Sequence, residues 1–380
     1  MFPAQIVVIG AFSLIFYIYL GYPLLLWVLS RFFKKSFRSG SETPTVTLVI
    51  AAHNEEAVIA RKLENSLALD YPGDRLSFAV ASDASTDGTN AIVAGFRDRG
   101  VRLFAFSERG GKIAALNRVV PQLDSEIIVM SDANGMYDPR AVRRLVRHFS
   151  DPRIGCVCGE LRYTNPGRSS AGRGESAYWR YEVAVKKMES AMGHLLGANG
   201  GIFAFRRVLR EPVPPVMAND FVTPVKISLR GYHVIYDPEA LCFEQSSQTM
   251  GNEFRRHSRF ASRGLIAGCY LLALALRRLH LPMIFTLISH RLLRWLSGTL
   301  LITALIANAF TLQGLWGMLF GGQLLFYLSA LMGFGLTRLG RRFRPLTLPY
   351  YFCMLNLAGL AGLFQLATGR VRAQWSTKER

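Results

Sequence analysis

The sequence predicts an α/β fold: a mostly parallel sheet with helices on both faces, and apolar helices at both ends of the chain. Three observations lead there. Between residues 43 and about 240, short β-branched runs alternate with amphipathic stretches, as parallel strands joined by crossover helices do. Two of the runs stop abruptly in polar and acidic residues, at His53-Asn54-Glu55-Glu56 and at Ser82-Asp83-Ala84-Ser85. Uncharged stretches of bilayer-spanning length flank the whole region.

Taken in order, residues 46–51 read as a strand and 57–69 as an amphipathic helix. Strands follow at 76–81, 101–106 and 126–131, separated by helices at 86–97 and 112–119. A helix over 139–149 has Pro139 in its first turn, where a missing N–H costs nothing. Residues 155–159 and 201–205 read as later strands of mixed direction, and 173–192 as a long helix with no evident partner. From 254 to 280 the chain is basic and amphipathic, with Arg255, Arg256, Arg259 and Arg263 ahead of an apolar run at 265–276. That run is short for a span and fits a helix lying in the membrane interface.

The chain has 380 residues, half of them hydrophobic, with a formal charge of +19. Residues 6–29, 315–336 and 346–367 are uncharged and long enough to span a bilayer, and 295–312 is slightly shorter. The first run lacks a basic leader and a cleavage site, so it reads as an uncleaved anchor. The positive charge is not a nucleic-acid signature, because it clusters beside the spans. Arg31, Lys34, Lys35 and Arg38 follow the first, and Arg338, Arg341, Arg342 and Arg344 separate the last two. Such clusters mark cytoplasmic loops against anionic lipid. The N-terminus is then outside and the middle of the chain cytoplasmic. Four simple spans would leave the basic tail at 369–380 outside, against the same rule. Either the segment at Trp295 is not a simple span or the region before it re-enters. The five cysteines make no disulfide framework, and Cys156 and Cys158 read as core packing on one strand face.

In an open α/β sheet, ligands bind outside the carboxyl ends of strands. Asn54, Glu55 and Asp83 therefore mark a candidate site for a polar ligand such as a nucleotide. Ser131-Asp132-Ala133-Asn134 closes the fourth strand. A carboxylate one residue from a second oxygen suits a hard divalent ion, and equally an Asx turn or helix cap. Glu108-Arg109-Gly110-Gly111-Lys112 enters a helix, where close backbone approach and a lysine favour phosphate. Asp220 begins a helix, as an N-cap or as a base for an incoming hydroxyl. The arginines at 255–263 either face lipid or close over a diphosphate.

Together, and in this order, these pieces resemble the family 2 glycosyltransferases. The similarity is to the membrane-bound branch that includes cellulose, hyaluronan and poly-N-acetylglucosamine synthases, and it covers nearly the whole chain. It implies a GT-A-like domain over 43–250, after a membrane anchor and basic segment at 1–42. Amphipathic interfacial helices at 251–291 and membrane helices with a basic tail at 292–380 would follow. Asn54, Glu55 and Asp83 would surround the base and ribose of the donor. Lys112, Arg256 and Arg259 would approach its diphosphate. Asp132 and Asn134 would hold Mg2+ or Mn2+, and Asp220 would be the catalytic base. Gly197, Asn199, Gly200 and Phe260 would shape the acceptor site.

The chain departs from the family pattern in three places. Asn134 replaces the second metal-motif acid, and only the aspartate of the base motif remains. The Gln-x-x-Arg-Trp signature reads Arg256-His257-Ser258-Arg259-Phe260. The resemblance implies an inverting enzyme of a bacterial-type inner (cytoplasmic) membrane, multi-pass, with its catalytic domain in the cytosol. It would move a sugar from a nucleotide-sugar, UDP-linked by that resemblance, to a growing cell-surface polysaccharide, with a partner protein for export. One alternative is single-sugar transfer to a lipid or lipid-linked oligosaccharide. Another, of a different class, is a non-catalytic basic membrane protein that binds anionic lipid or nucleic acid.

Overall fold

The computed structural model describes residues 3–164, 174–245, 250–339, 341 and 343–371. Arg342 and most of the basic tail lie outside the described residues. The chain enters through α1 (Pro3–Phe16) and α2 (Tyr22–Phe32), joined by a π-helical turn at Tyr17–Gly21 where Gly21 and Pro23 interrupt the apolar run.

An eight-stranded sheet follows: β1 (Val46–Ala52), β2 (Leu76–Asp83), β3 (Val101–Phe106), β4 (Ile127–Asp132), β5 (Met136–Tyr137), β6 (Ile154–Tyr163), β7 (Phe203–Arg206) and β8 (His233–Glu244). Their spatial order is β3-β2-β1-β4-β7-β6-β8-β5. The first four run parallel, and β7 is antiparallel to both β4 and β6. β6 and β8 are parallel, and β5 closes the edge antiparallel to β8. Every residue of β1 is buried, because both sheet faces are covered. Val46, Leu48 and Ile50 pack with Ile59 and Leu63 of α3 (Glu56–Leu67). Val49 and Ala51 share the opposite face.

Crossovers α4 (Thr89–Ala94), α5 (Lys112–Val119) and α6 (Ala141–Val146) complete the parallel half. α5 lies with Val49 and Ala51, and α6 with Leu48 and Ile50. The first and last of the three are shorter than the sequence predicts, because each ends in a separate 3-10 turn, at Arg97–Arg99 and Arg147–Ser150. The strands at 136–137 and 233–244 have no counterpart in the sequence reading. Gly-free alternation is broken in β8 by Asp237-Pro238-Glu239, which hides it.

The partner missing for the helix at 173–192 is the set of apolar helices from the two ends of the chain. α7 (Gly174–Ala191) packs against α2 and the last helix of the chain, as well as β8. Glu182, Val185, Lys186 and Glu189 recur at helical spacing and are all buried. α8 (Asn219–Leu229) then leads to α9 (Met250–Arg277). After it come α10 (Leu281–Thr286), a π-helical turn at Leu287–Leu292, α11 (Leu293–Trp295), α12 (Ser297–Ala309), α13 (Leu315–Arg338) and α14 (Arg344–Ala367).

Among the described residues, four helical segments are long and apolar enough to cross a membrane: Pro3–Phe32, Gly251–Arg277, Leu315–Arg338 and Pro345–Ala367. Leu281–Trp295 and Ser297–Ala309 pass that test only as a pair, bent by 57°. The segment at Trp295 is thus part of a bent helix pair and not one straight span. Most of α13's large apolar side chains face outward, with Leu325 70% exposed and Leu331 63%, as lipid contact requires.

Leu48→Ala removes a fully buried side chain from β1. It is expected to cost about 3 kcal/mol, read as a lower thermal midpoint of the detergent-purified protein. An unchanged midpoint would contradict the double-sided packing of this strand.

Candidate active site

The parallel register puts two carboxylates on one edge. Ala51 pairs with Asp132 and Ala52 with Ser82, so Asp83 and Asp132 end the strands on either side of β1. Asp83 is buried, and its two oxygens accept the N–H groups of Gly110 and Gly111 at 2.9 and 2.8 Å. Gly111 has φ +90°, which a side chain would strain. This clamp delivers Lys112 at the start of α5, where its ammonium pairs with the Asp132 carboxylate.

The loop after β1 is laced to the loop after β2. Asn54, at φ +54°, accepts the Thr86 N–H on its side-chain oxygen at 2.8 Å. The Glu55 N–H donates to Thr89 Oγ1 at 2.8 Å, and the Gly88 N–H to Glu56 at 2.7 Å. His53 Nδ1 lies 2.6 Å from the Asp83 carbonyl oxygen.

In front of this scaffold lies a cavity of about 690 Å³. Its lining includes Lys112, Asp132 and Asn134 together with Gly197, Asn199, Gly200 and Asp220. Arg256, Arg259 and Phe260 of α9 also reach it. Asn54, Glu55 and Asp83 are not among its lining residues. Asp83 holds the glycine clamp, and Asn54 and Glu55 tie the loop after β1 to the loop after β2.

A proline explains how the segment at 197–200 docks on Asp220. Pro224 sits inside α8 and has no N–H, which frees the carbonyl four residues earlier. That carbonyl belongs to Asp220, and the Ala198 N–H donates to it at 2.7 Å. A Cβ on Gly200 would lie 3.0 Å from Asp220 Oδ2, so the glycine lets the carboxyl face the cavity. Asn199 is fixed between Lys186 Nζ at 2.5 Å and the Gly159 carbonyl at 2.6 Å. Burial raises the pKa of Asp220 from its ordinary value. Lys112 and Arg291 oppose that shift, and Asp132 adds to it.

For a divalent ion the donor set is small. Among the described residues, no group of three or more His, Cys, Asp or Glu could hold a metal. Asp132 and Asn134 offer one carboxylate and one amide to the cavity. That fits an ion completed by phosphate oxygens and water, as Mg2+ commonly is. The Lys112 ammonium already shows that the Asp132 carboxylate accepts a cation there.

Several residues of the site went unseen in the sequence. Lys62 is fully buried beneath the Asp132–Gly135 loop, donating to the Gly135 carbonyl at 2.5 Å, with Nζ 4.1 Å over the Tyr137 ring. Burial pushes it down to about 8. Its signal was its place on the apolar stripe Ile59, Lys62, Leu63, Ser66. Glu189 accepts from the Tyr22 hydroxyl at 2.9 Å and the Leu196 N–H at 3.1 Å, and lies 2.6 Å from His290 Nδ1. Arg294 pairs with Glu182. These charges in an otherwise apolar stretch were the readable cue.

A lysine and a carboxylate at the edge of a parallel sheet share one cavity with a second carboxyl, that of Asp220. That arrangement suits a phosphorylated ligand. Residues 47–211 match the model of the family described as glycosyl transferase family 2, so the chain carries a family 2 glycosyltransferase domain. It is 25% identical over 238 residues to a poly-β-1,6-N-acetyl-D-glucosamine synthase of Staphylococcus aureus (strain COL), covering 61% of this chain and 57% of that one. It is 28% identical over 235 residues to the probable glycosyltransferase YdaM of Bacillus subtilis (strain 168), covering 58% and 55%. The matches span little more than half the length of these relatives. The fold is similar to that of the mannosyltransferase PcManGT from Pyrobaculum calidifontis, solved with GDP-Man and Mn2+. The TM-score is 0.72, with 23% identity, 96% of this chain and 99% of that chain covered. The shared fold includes the apolar helices.

Asp83→Ala removes both acceptors from the glycine clamp and should release Lys112. The affinity for UDP or GDP is expected to fall about tenfold or more, measured by titration calorimetry. Full affinity in the variant would show that the clamp does not position the lysine.

Proposed function

We propose that this protein transfers a sugar from a nucleoside diphosphate donor to an acceptor hydroxyl at the membrane surface, inverting the anomeric centre. One observation carries the reading: Lys112, Asp132 and Asp220 line a single cavity that continues between apolar helices to Tyr351 and Asn356 of α14.

Donor and acceptor take opposite sides. The base and ribose lie toward Asn54, Glu55 and Asp83, and the diphosphate toward Lys112, with Arg256 and Arg259 closing from α9. The acceptor oxygen approaches along Gly197, Asn199 and Gly200, over the face of Phe260. It attacks the anomeric carbon as the bond to the diphosphate breaks, and Asp220 takes its proton. The proton then leaves to water. Mg2+ or Mn2+ held by Asp132 and Asn134 would supply positive charge to the departing diphosphate. Lys112 and Arg259 add preorganised charge to the same oxygens.

The first acceptor reading is a growing cell-surface polysaccharide, in line with the synthase relatives. The membrane is then the cytoplasmic one, with the domain in the cytosol beside the basic clusters, and an export partner completes the path. A second reading, a lipid-linked acceptor, is favoured by the extension of the cavity along α14. Mass spectrometry separates them, as a ladder of oligomers or one added sugar.

Asp220→Asn is expected to lower turnover by a factor on the order of 10²–10⁴ while nucleotide binding persists. Because the folded-state pKa of Asp220 is raised, ionising it costs stability at every pH above that value. The same variant should therefore melt no lower than wild type at neutral pH. Equal turnover, or a clear loss of thermal midpoint, would count against the assignment.

Turnover should rise with pH through an acid limb displaced upward from the ordinary aspartate value, since the base acts ionised. A kcat profile flat down to the usual aspartate range would exclude Asp220. Asp132→Ala should abolish the gain in nucleotide affinity that Mg2+ or Mn2+ confers. An unchanged gain would remove Asp132 from the metal site.

A further inference from the structure

The cavity carries more positive charge than its donor can use. Seven lysines and arginines line it against four acidic side chains, among the described residues. A nucleoside diphosphate-sugar with its divalent ion is neutral as a pair, so the donor leaves this excess in place. Most of the cations are committed within the protein. Lys112 pairs with Asp132, Arg294 with Glu182, and Arg256 with Glu253. Arg263 donates to the carbonyls of Val216 and Pro215, and Lys186 to Asn199.

Arg291 is different. Among the described residues it has no carboxylate within ion-pairing distance, and its Nε is buried without a hydrogen-bond partner. It lies in the π-helical turn Leu287–Leu292, a local widening that often marks functional positions. Its guanidinium sits 5.7 Å from the Phe221 ring centroid, one residue after Asp220. A Cβ on Gly197 would come within 3.3 Å of its Nη2. These contacts put it beside the 197–200 segment, which the proposed function gives to the acceptor. Beyond it the cavity runs past Trp295 to Leu355 and Gly359 of α14, a helix apolar enough to cross the membrane.

We infer that Arg291 binds the phosphate of an acceptor whose apolar chain lies along α14. The inference rests on the transferase reading and names the acceptor class for the same site. Arginine's planar fork suits a phosphate, and a buried unsatisfied donor gains most from receiving one.

The test uses the full chain in detergent micelles with three probes: farnesyl phosphate, farnesol and glucose 1-phosphate. Trp179 and Trp295 line the cavity, so tryptophan fluorescence reads binding without turnover. Wild type is expected to bind farnesyl phosphate at least about tenfold more tightly than either other probe. Arg291→Gln should lose that margin, whereas Arg291→Lys, which keeps the charge, should retain much of it. UDP and GDP affinities should be unchanged in both variants, which also verifies folding.

Farnesol binding as tightly as farnesyl phosphate, or Arg291→Gln keeping the margin, would overturn the phosphate site. Glucose 1-phosphate matching farnesyl phosphate would overturn the lipid part, and a loss of nucleotide affinity in Arg291→Gln would move the arginine to the donor. Farnesyl phosphate binding in a protein that binds no nucleotide would support the anion site and overturn the transferase reading instead.

Discussion

Buried charge joins the soluble sheet to the apolar helices. Glu182 and Glu189 of α7 meet His290 and Arg294 across that junction, with the Tyr22 hydroxyl on the same carboxylate as His290. Charges taken out of water are tolerated only when each finds a partner, and removing one member strands the other. The network therefore specifies one docking of the domain on its helices rather than a range of them. It also reaches the chemistry, because the Leu196 N–H ends on Glu189 immediately before the segment that packs on Asp220. α2, α7, the π-helical turn and the acceptor wall are thus one mechanical unit.

The donor side rests on shorter-range constraints. Parallel register fixes where Asp83 and Asp132 fall, and both Asp83 oxygens brace the glycine clamp. Beneath the Asp132 loop, Lys62 serves a similar end from the opposite direction. Its ammonium ties the Gly135 carbonyl to α3. Both residues shape the site while standing outside the cavity.

The parallel half of the fold was legible because its signals are local. Hydrophobic runs at 46–51, 76–81, 101–106 and 126–131 mark strands whose ends differ from the sequence reading by two residues at most. Lys112, Asp132 and Asp220 were legible through their neighbours: a glycine pair, a strand end and a helix start. What stayed hidden depends on distant partners. A helix that buries Glu182, Lys186 and Glu189 looks solvent-facing until the membrane region covers it. Asp83 looked open because nothing nearby in sequence announces that Gly110 and Gly111 fold back onto it. The short β5 and the interrupted β8 carry too little alternation to declare themselves, and the bend at Trp295 has no proline to mark it.

β7 turns the sheet from parallel to antiparallel. Under the proposed function, the strand ends that hold the donor, those of β2 and β4, lie on the parallel side of that reversal, and Asp220 comes from a helix that follows it in the chain. Substitutions beyond β7 would then re-tailor which molecule is glycosylated while the strand ends that hold the sugar donor stay intact, a division that lets a single scaffold diversify its products.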